Sequence, residues 1–319
     1  MVFLWFGLGI AAFAGIATLA ISYICFRMAF YVPKKIIIGP DDYPIPDGEI
    51  YEPYRAQMVA WMKEIRALPY RELTTVSHDG LTLYGKYYEF SPDAPLEIMF
   101  HGYRGSAERD LCGGVQRAFS LGHSALIVDQ RAASKSQGNV ITFGVNEHRD
   151  CLKWVEFMIE HFGPDVKIIL TGISMGASTV LMASRFPLPE NVIGILADCG
   201  YNSQKEIICR VIRQMGLPPK LFYPFAKLSA KLFGKFDLEE EKLLEMKKLL
   251  AGMVYDDYDR LIQLCDALAM AEGVVDIAQA NSLAAGLYNR ETANCYVINE
   301  AGAYAFPADV RGNGVSTKG

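Results

Sequence analysis

The fold class is indicated most clearly by one segment of the sequence, Val166-Lys167-Ile168-Ile169-Leu170-Thr171-Gly172-Ile173-Ser174-Met175-Gly176. An apolar run leads into the pentapeptide Gly172–Gly176, which has the form G-x-S-x-G, and a helix-forming segment follows it. A serine on a tight turn between a strand and a helix is the local structure of a nucleophile elbow. The sequence therefore predicts that Ser174 is a nucleophile. The alternative is that Ser174 only caps the following helix, a role that serine fills well.

The position of the histidines conflicts with this prediction. A serine hydroxyl needs a base to remove its proton, and that base is usually histidine. In proteins with this elbow the three catalytic residues follow one another along the chain in the order Ser, then Asp or Glu, then His. This chain has five histidines, and all of them precede Ser174: His78, His101, His123, His148 and His161. The usual base is therefore missing.

Length and composition exclude several classes of protein. With 319 residues, 51% of them apolar, the chain can bury the core of one large α/β domain or two smaller ones. The net charge of −5, without any basic run, argues against nucleic-acid binding. The seven cysteines are scattered and form no C-x-x-C pair. We expect free thiols in a reducing compartment.

The first segment of the chain has the properties of a membrane anchor. Residues 2–24 carry no charge, and a helix of this length reaches roughly 35 Å, more than the hydrocarbon core of a bilayer. A cleaved signal peptide is the alternative, but the basic n-region is absent. We expect a single-pass anchor over residues 1–26. Arg27, Lys34 and Lys35 follow the span, which places the globular part in the cytoplasm.

Beyond the anchor, a segment rich in Pro and Asp over residues 27–50 reads as a linker. Residues 51–237 alternate strand-like with helical segments, which predicts βαβ units and a mostly parallel sheet with flanking helices. The predicted strands are Arg71–Ser77, Leu81–Glu89, Leu96–Phe100, Ser124–Asp129, Val166–Thr171 and Val192–Ala197. The predicted helices are Tyr51–Ala67, Ser106–Leu121, Glu147–Phe162 and Ser174–Arg185.

Four motifs in order give the chain a resemblance to a known family. His101-Gly102-Tyr103-Arg104-Gly105 follows a strand, Asp129-Gln130-Arg131 ends the next one, Thr142–Glu147 precedes a helix, and Gly172–Gly176 forms the elbow. Over about residues 30–237 the chain resembles the α/β-hydrolase superfamily, in particular its membrane-anchored serine-aminopeptidase-like or esterase-like branch. The resemblance implies an α/β-hydrolase fold with a helical lid.

The same resemblance implies roles for particular residues. The backbone N–H groups of Met175 and Tyr103 would stabilise the developing oxyanion. In such families the histidine of an HG pair usually shapes its loop. We therefore expect a structural role for His101, and the alternative is that it acts as a substitute base. Asp198 follows the last predicted strand, where some relatives carry a triad acid. The resemblance implies no cofactor and no metal, and it makes a small acyl compound the expected substrate.

After residue 237 the chain departs from the family, which would show another strand, an acid-bearing loop, a further strand and a histidine loop. Residues 238–319 read instead as an unrelated tail, helical and then irregular. Residues 254–268 resemble the last helix of HD-type phosphohydrolases, with Asp266 in the position of a metal ligand. A metal site of that type needs a His-Asp pair on a neighbouring helix. The only His-Asp pair of this sequence, His78-Asp79, lies in a predicted hairpin turn, so we expect no such metal site with Asp266. The missing strands predict an exposed sheet edge unless tail helices cover it.

These observations leave three functions open. The first is a serine hydrolase for carboxylic ester, thioester or amide bonds, with catalysis impaired by the missing histidine. The second is a non-catalytic hydrolase-like binding protein. The third is a composite or truncated product without activity. The apolar segment 207–233 favours a hydrophobic substrate, and the sequence leaves the oligomeric state open.

Overall fold

A computed structural model describes residues 2–46, 48–201 and 203–239, together with four short backbone strands near the end of the chain. The first six strands are β1 (Arg71–Val76), β2 (Thr82–Tyr88), β3 (Leu96–Phe100), β4 (Ser124–Asp129), β5 (Ile168–Ile173) and β6 (Val192–Asp198). They lie side by side in the order β1-β2-β4-β3-β5-β6. The β3–β4, β3–β5 and β5–β6 pairs are parallel, and β2 pairs antiparallel with both β1 and β4. The predicted α/β class and mostly parallel sheet are confirmed.

The helices of the described residues are α1 (Val2–Ala29), α2 (Arg55–Ala67), α3 (Ala107–Ser120), α4 (Glu147–Phe162), α5 (Met175–Ala183), α6 (Gln204–Gln214) and α7 (Pro219–Ser229). Of these, α2 and α3 cover one face of the sheet and α4 and α5 the other. A 3₁₀ helix (Glu49–Tyr54) precedes α2, and a π-helical turn (Ala230–Gly234) follows α7. Because neighbouring residues of a strand point to opposite faces, Leu126 packs with α4 and α5, whereas Ile127 packs with α2 and α3.

The N-terminal helix has an exposed part and a packed part. The span Phe3–Ala29, with a mean hydropathy of 2.0, is the one helix among the described residues that is long and apolar enough to cross a membrane. Such a helix can be a membrane anchor or a signal sequence. Its last turns belong to the globular part, because Ser22, Phe26 and Phe30 are buried.

The segment expected to be a linker packs along the globular part. Tyr31 forms a β-bridge with Val140, and the N–H of Val32 donates to the Asn139 carbonyl over 2.8 Å. Further along, the Arg66 guanidinium donates to the carbonyl oxygens of Pro40 and Asp42 at 2.5 and 2.6 Å. These residues are therefore bound to the surface of the globular part and do not form a free linker.

The edge beside β6 differs from the expectation. Two short strands, β7 (Tyr296–Asn299) and β8 (Gly302–Tyr304), extend the sheet, and β7 pairs antiparallel with β6. The prediction of an unpaired edge is therefore wrong. Two more strands, β9 (Asp309–Arg311) and β10 (Gly314–Ser316), pair with each other. The structure describes this region only up to residue 239, so the predicted helical part of the tail beyond it, including Asp266, lies outside the described residues.

Candidate active site

Ser174 occupies a strained turn between β5 and α5. Its φ of +52° and ψ of −114° lie in a region that residues other than glycine rarely adopt. Its N–H donates to the Asp198 carbonyl over 2.8 Å, and its own carbonyl accepts from the Ser178 N–H at 3.2 Å. The exposed side chain makes no capping hydrogen bond to α5, so Ser174 does not act as a helix cap. The turn presents the hydroxyl at the carboxyl end of the parallel strands.

Two glycines make this turn possible. A methyl carbon on Gly172 would lie 2.2 Å from the Gly176 carbonyl oxygen. One on Gly176 would lie 2.0 Å from the carbonyl oxygen of Phe100, at the end of β3. Both obstacles are backbone atoms, which cannot swing aside as a flexible side chain can. The G-x-S-x-G pattern is therefore required by the packing of the turn against α5 and β3.

The loop His101–Gly105 lies directly against Ser174. A methyl carbon on Gly102 would be 3.6 Å from the Ser174 Cβ. The loop is a tight turn in which the Gly105 N–H donates to the Gly102 carbonyl over 3.2 Å. Asp110 of α3 accepts the Gly102 N–H at 3.3 Å, and its Oδ2 would be only 1.8 Å from a methyl carbon on Gly105. Asp110 thus helps to fix the loop beside the serine.

The two predicted oxyanion donors lie on this loop and on the elbow. Met175 is the first residue of α5, and the first N–H groups of a helix lack partners within the helix. Among the described residues, no acceptor bonds the backbone N–H of Met175 or of Tyr103. The positive end of the helix dipole also lies at Met175. Both amides are therefore free to bind an anion that approaches the serine.

His101 is a buried structural residue of the loop. Its Nδ1 lies 2.8 Å from the Gly102 carbonyl oxygen, and its Nε2 accepts the Gln130 N–H at 3.1 Å. This pair of contacts assigns the proton to Nδ1. The Gln130 side chain also donates to the His101 carbonyl over 2.6 Å, and Thr179 of α5 donates to Gln130 at 3.2 Å. Both ring nitrogens are occupied, as the loop-shaping role predicts.

Three other histidines have contacts of their own that do not include Ser174. The His123 Nδ1 lies 2.7 Å from the buried Glu97 carboxylate. His148 is fully buried and stacks on Phe186 with 5.1 Å between ring centroids. Burial lowers the pKa of His148 to about 4. His161 packs against the aromatic rings of α4.

The remaining histidine, His78, belongs to an ion-pair cluster. His78, Asp79 and Asp150 bring their ligand atoms within 4.8 Å of one another. However, the Arg131 guanidinium lies between the carboxylates, 2.9 Å from Asp79 and 2.7 Å from Asp150. Desolvation raises the pKa of Asp79, but hydrogen bonds from Arg131 and Ser77 outweigh it and hold that pKa at about 2. The buried arginine already balances both carboxylates, so this donor set does not fit a metal ion.

The loop is tied to the end of the N-terminal helix. The Tyr103 hydroxyl donates to the Ala29 carbonyl over 2.7 Å, and Arg104 donates to the carbonyls of Met28 and Tyr31 at 2.8 and 3.1 Å. The last carbonyls of a helix lack internal partners and carry partial negative charge, so they are suitable acceptors for a guanidinium. The loop that carries one predicted oxyanion donor is therefore held by α1.

A cavity of about 260 Å³ lies beside the elbow. Met175 and His101 contribute to its lining, while Val32, Ile36, Ala132 and Ile141 supply apolar wall. Ser174 is not among its lining residues, and Arg104 and Lys34 are the exposed cations next to it. The volume lies below the range for drug-sized ligands. The lining of the cavity combines this apolar wall with the basic side chains of Lys34, Arg104 and Arg131.

The structure also shows residues of the site that sequence reasoning missed. Nothing in the sequence singles out Asp110, because it is one of two acidic residues in the first turn of α3 and its partner depends on the path of the loop. Tyr51 is another such residue. Burial raises the pKa of its phenol, and the charge of Asp110 raises it further. Tyr51, in the 3₁₀ helix before α2, is thus within the electrostatic influence of Asp110.

No family model and no curated protein matches the sequence. Similar solved structures include the Pyrococcus furiosus esterase Pf2001, with 21% identity and a TM-score of 0.47 over 66% of this chain and 73% of that one. The Pyrobaculum calidifontis esterase shares 14% identity, with a TM-score of 0.40 over 56% and 62%. An α/β hydrolase from Novosphingobium aromaticivorans shares 18% identity, with a TM-score of 0.35 over 45% and 49%. At such identities the comparison concerns the fold alone.

Proposed function

We propose that the protein is a membrane-anchored serine hydrolase that cleaves a carboxylic ester, thioester or amide bond of a small acyl substrate. The observation that carries the proposal is the strained backbone of Ser174, held between two glycines that backbone contacts require. Strain of this kind costs about 1–3 kcal/mol and persists at functional sites. An ordinary strand-to-helix connection would not need it.

In the proposed reaction the Ser174 oxygen loses its proton to a base and attacks the acyl carbon, and the backbone N–H groups of Met175 and Tyr103 bind the oxyanion. Each such donor contributes about 3–4 kcal/mol in the transition state. The ester, thioester or amide bond then breaks, the alcohol, thiol or amine leaves with that proton, and water hydrolyses the acyl-enzyme to release the acid and restore Ser174. In this proposal α1 anchors the globular part at the membrane, and the basic residues that follow it support a cytoplasmic orientation of that part.

The proton of Ser174 needs an acceptor, and this limits the rate. His101 can take it only by giving up the Gln130 N–H that its Nε2 now accepts. A water molecule or a histidine from a second chain is the alternative base. An oxyanion hole and substrate binding alone can still supply about 10³–10⁴-fold acceleration over water. We therefore propose an enzyme with impaired catalysis.

A non-catalytic binding protein is the second candidate. It is favoured by the contacts of the five histidines, which engage each of them away from the serine. In that case the elbow and the neighbouring cavity would bind an acyl compound without cleaving it.

Fluorophosphonate labelling of the full chain in detergent distinguishes the two candidates. Activated Ser174 should be labelled in the wild type and not in Ser174→Ala. Ser120→Ala is the matched control, because Ser120 is an exposed serine at the far end of α3. Equal labelling of wild type and Ser174→Ala, or no labelling of the folded wild type, would refute the hydrolase proposal.

A further inference from the structure

The helices over the site lie next to the predicted membrane span. The Phe233 ring lies 5.3 Å from the ring of Tyr23 and 5.8 Å from that of Phe26. Tyr23 belongs to the uncharged stretch 2–24, so the turn Ala230–Gly234 meets α1 where the span enters the globular part. Aromatic residues are enriched at this level of a bilayer. When α1 crosses a membrane, this turn therefore lies at the headgroups.

The exposed side chains of residues 204–235 form a surface that we name the lid face. This part of the chain contains seven Lys or Arg and one Glu. Asp237 and Glu239 follow directly, and Glu239 pairs with Lys227 at 2.5 Å, so residues 204–239 carry a net charge of +4, whereas the whole chain carries −5. The first acidic residue of the chain is Asp41, so the three basic residues that follow the span have no acidic neighbour in sequence. Positive charge is thus concentrated around the exit of α1.

Apolar side chains are exposed on the same surface. Val211, Met215, Leu221 and Leu232 are 46%, 49%, 58% and 47% exposed. Lys220 precedes Leu221 and Lys231 precedes Leu232, and both lysines are exposed. A mixture of exposed apolar and basic side chains is typical of helices that lie in the interface of a membrane.

We propose that the lid face docks on the surface of an anionic bilayer, with its lysines at the lipid headgroups and Leu232 at the acyl boundary. This inference rests on the proposed insertion of α1, but not on hydrolysis. Each Lys or Arg near an anionic surface favours the docked state by about fivefold. Because α6 and α7 pack with Met175 and Phe143, docking holds the roof of the candidate site against the bilayer.

The test uses the full chain in vesicles of phosphatidylcholine with about one-third phosphatidylserine, some of them brominated in the upper acyl chain. A Leu232→Trp variant places a fluorophore on the lid face. Phe90→Trp is the matched control, since Phe90 is 49% exposed and lies next to Ser124 at the amino end of β4, the opposite end of the sheet. Each variant is compared with the wild type to remove the signal of the native tryptophans.

Docking predicts that Leu232→Trp is quenched at least about twofold more than Phe90→Trp in anionic vesicles, and that neutral vesicles reduce this difference. Adding Lys231→Gln and Lys235→Gln should lower the ratio of docked to undocked molecules by about 30-fold. Equal quenching of the two tryptophans in anionic vesicles would overturn the proposal.

Insertion of α1 is measured in the same samples. Trp5 lies in the exposed apolar part of α1. In a helix that spans the bilayer it is about 27 Å from Tyr23, near the opposite leaflet's surface, so lipids brominated in the upper acyl chain of both leaflets should quench it in the wild type. Quenching of Trp5 without quenching at position 232 refutes docking alone. Absence of Trp5 quenching refutes the anchor and docking together, and fluorophosphonate labelling of Ser174 in detergent stays an independent test of hydrolysis.

Discussion

Replacing Gly176 by alanine tests whether backbone packing holds Ser174 in its strained turn. The added methyl carbon would lie 2.0 Å from the Phe100 carbonyl oxygen and 2.8 Å from that of His101. To reach an ordinary contact distance of 3.4 Å, the first pair of atoms must separate by 1.4 Å. This displacement separates α5 from the end of β3. Overpacking of this kind costs about 3 kcal/mol of unfolding free energy.

The same movement should also reduce the reactivity of Ser174, because it shifts the serine relative to the loop His101–Gly105. A displacement of about 1 Å in a catalytic group costs roughly 100-fold in rate. The assays are urea unfolding in detergent and the rate of fluorophosphonate labelling, both on folded protein.

Gly114→Ala is the matched control for Gly176→Ala. A methyl carbon there meets only the flexible Met99 side chain, at 3.0 Å. We expect its unfolding free energy to stay within about 1 kcal/mol of the wild type, since alanine also favours the helix. If Gly176→Ala gave the same unfolding free energy and labelling rate as Gly114→Ala, backbone contacts at Gly176 would not hold the elbow in place.

Three further predictions concern other parts of the structure. The pKa of His148 is lowered from 6.5 to about 4 on folding, so as the pH falls the unfolded chain binds a proton before the folded chain does. The free energy of unfolding should therefore be highest above pH 6.5 and should fall by roughly 3 kcal/mol as the pH drops to 4. Urea unfolding at both ends of that range should show a much smaller loss in His148→Gln. Arg131→Met leaves Asp150 buried without its cation and should cost about 3–5 kcal/mol; recovery in the double variant with Asp150→Asn supports this, and a single variant as stable as the wild type contradicts it. Tyr103→Phe removes the hydrogen bond to Ala29 and should cost about 1 kcal/mol, with slower labelling of Ser174; a labelling rate equal to that of the wild type would show that α1 does not position the loop.

Much of the fold follows from local patterns. Strands β3 and β4 begin and end where the sequence predicts, because each is a short apolar run between polar turns. The helix α4 likewise matches its prediction, since its apolar residues recur at helical spacing. The 3₁₀ helix before α2 was not predicted, because the segment reads as one continuous helix.

The α/β class, the apolar N-terminal helix and the elbow around Ser174 can be predicted from the sequence alone, because they depend on periodicity and on glycines a few residues apart. The surroundings of the elbow depend on the folded arrangement of distant segments. The hydrogen bonds around the elbow join residues up to 76 positions apart. They include the bonds from Tyr103 and Arg104 to the end of α1, the bonds at the two ring nitrogens of His101, and the bond from the loop to Asp110. No local pattern encodes such contacts, because they arise where strand ends and helix ends meet after the chain has folded.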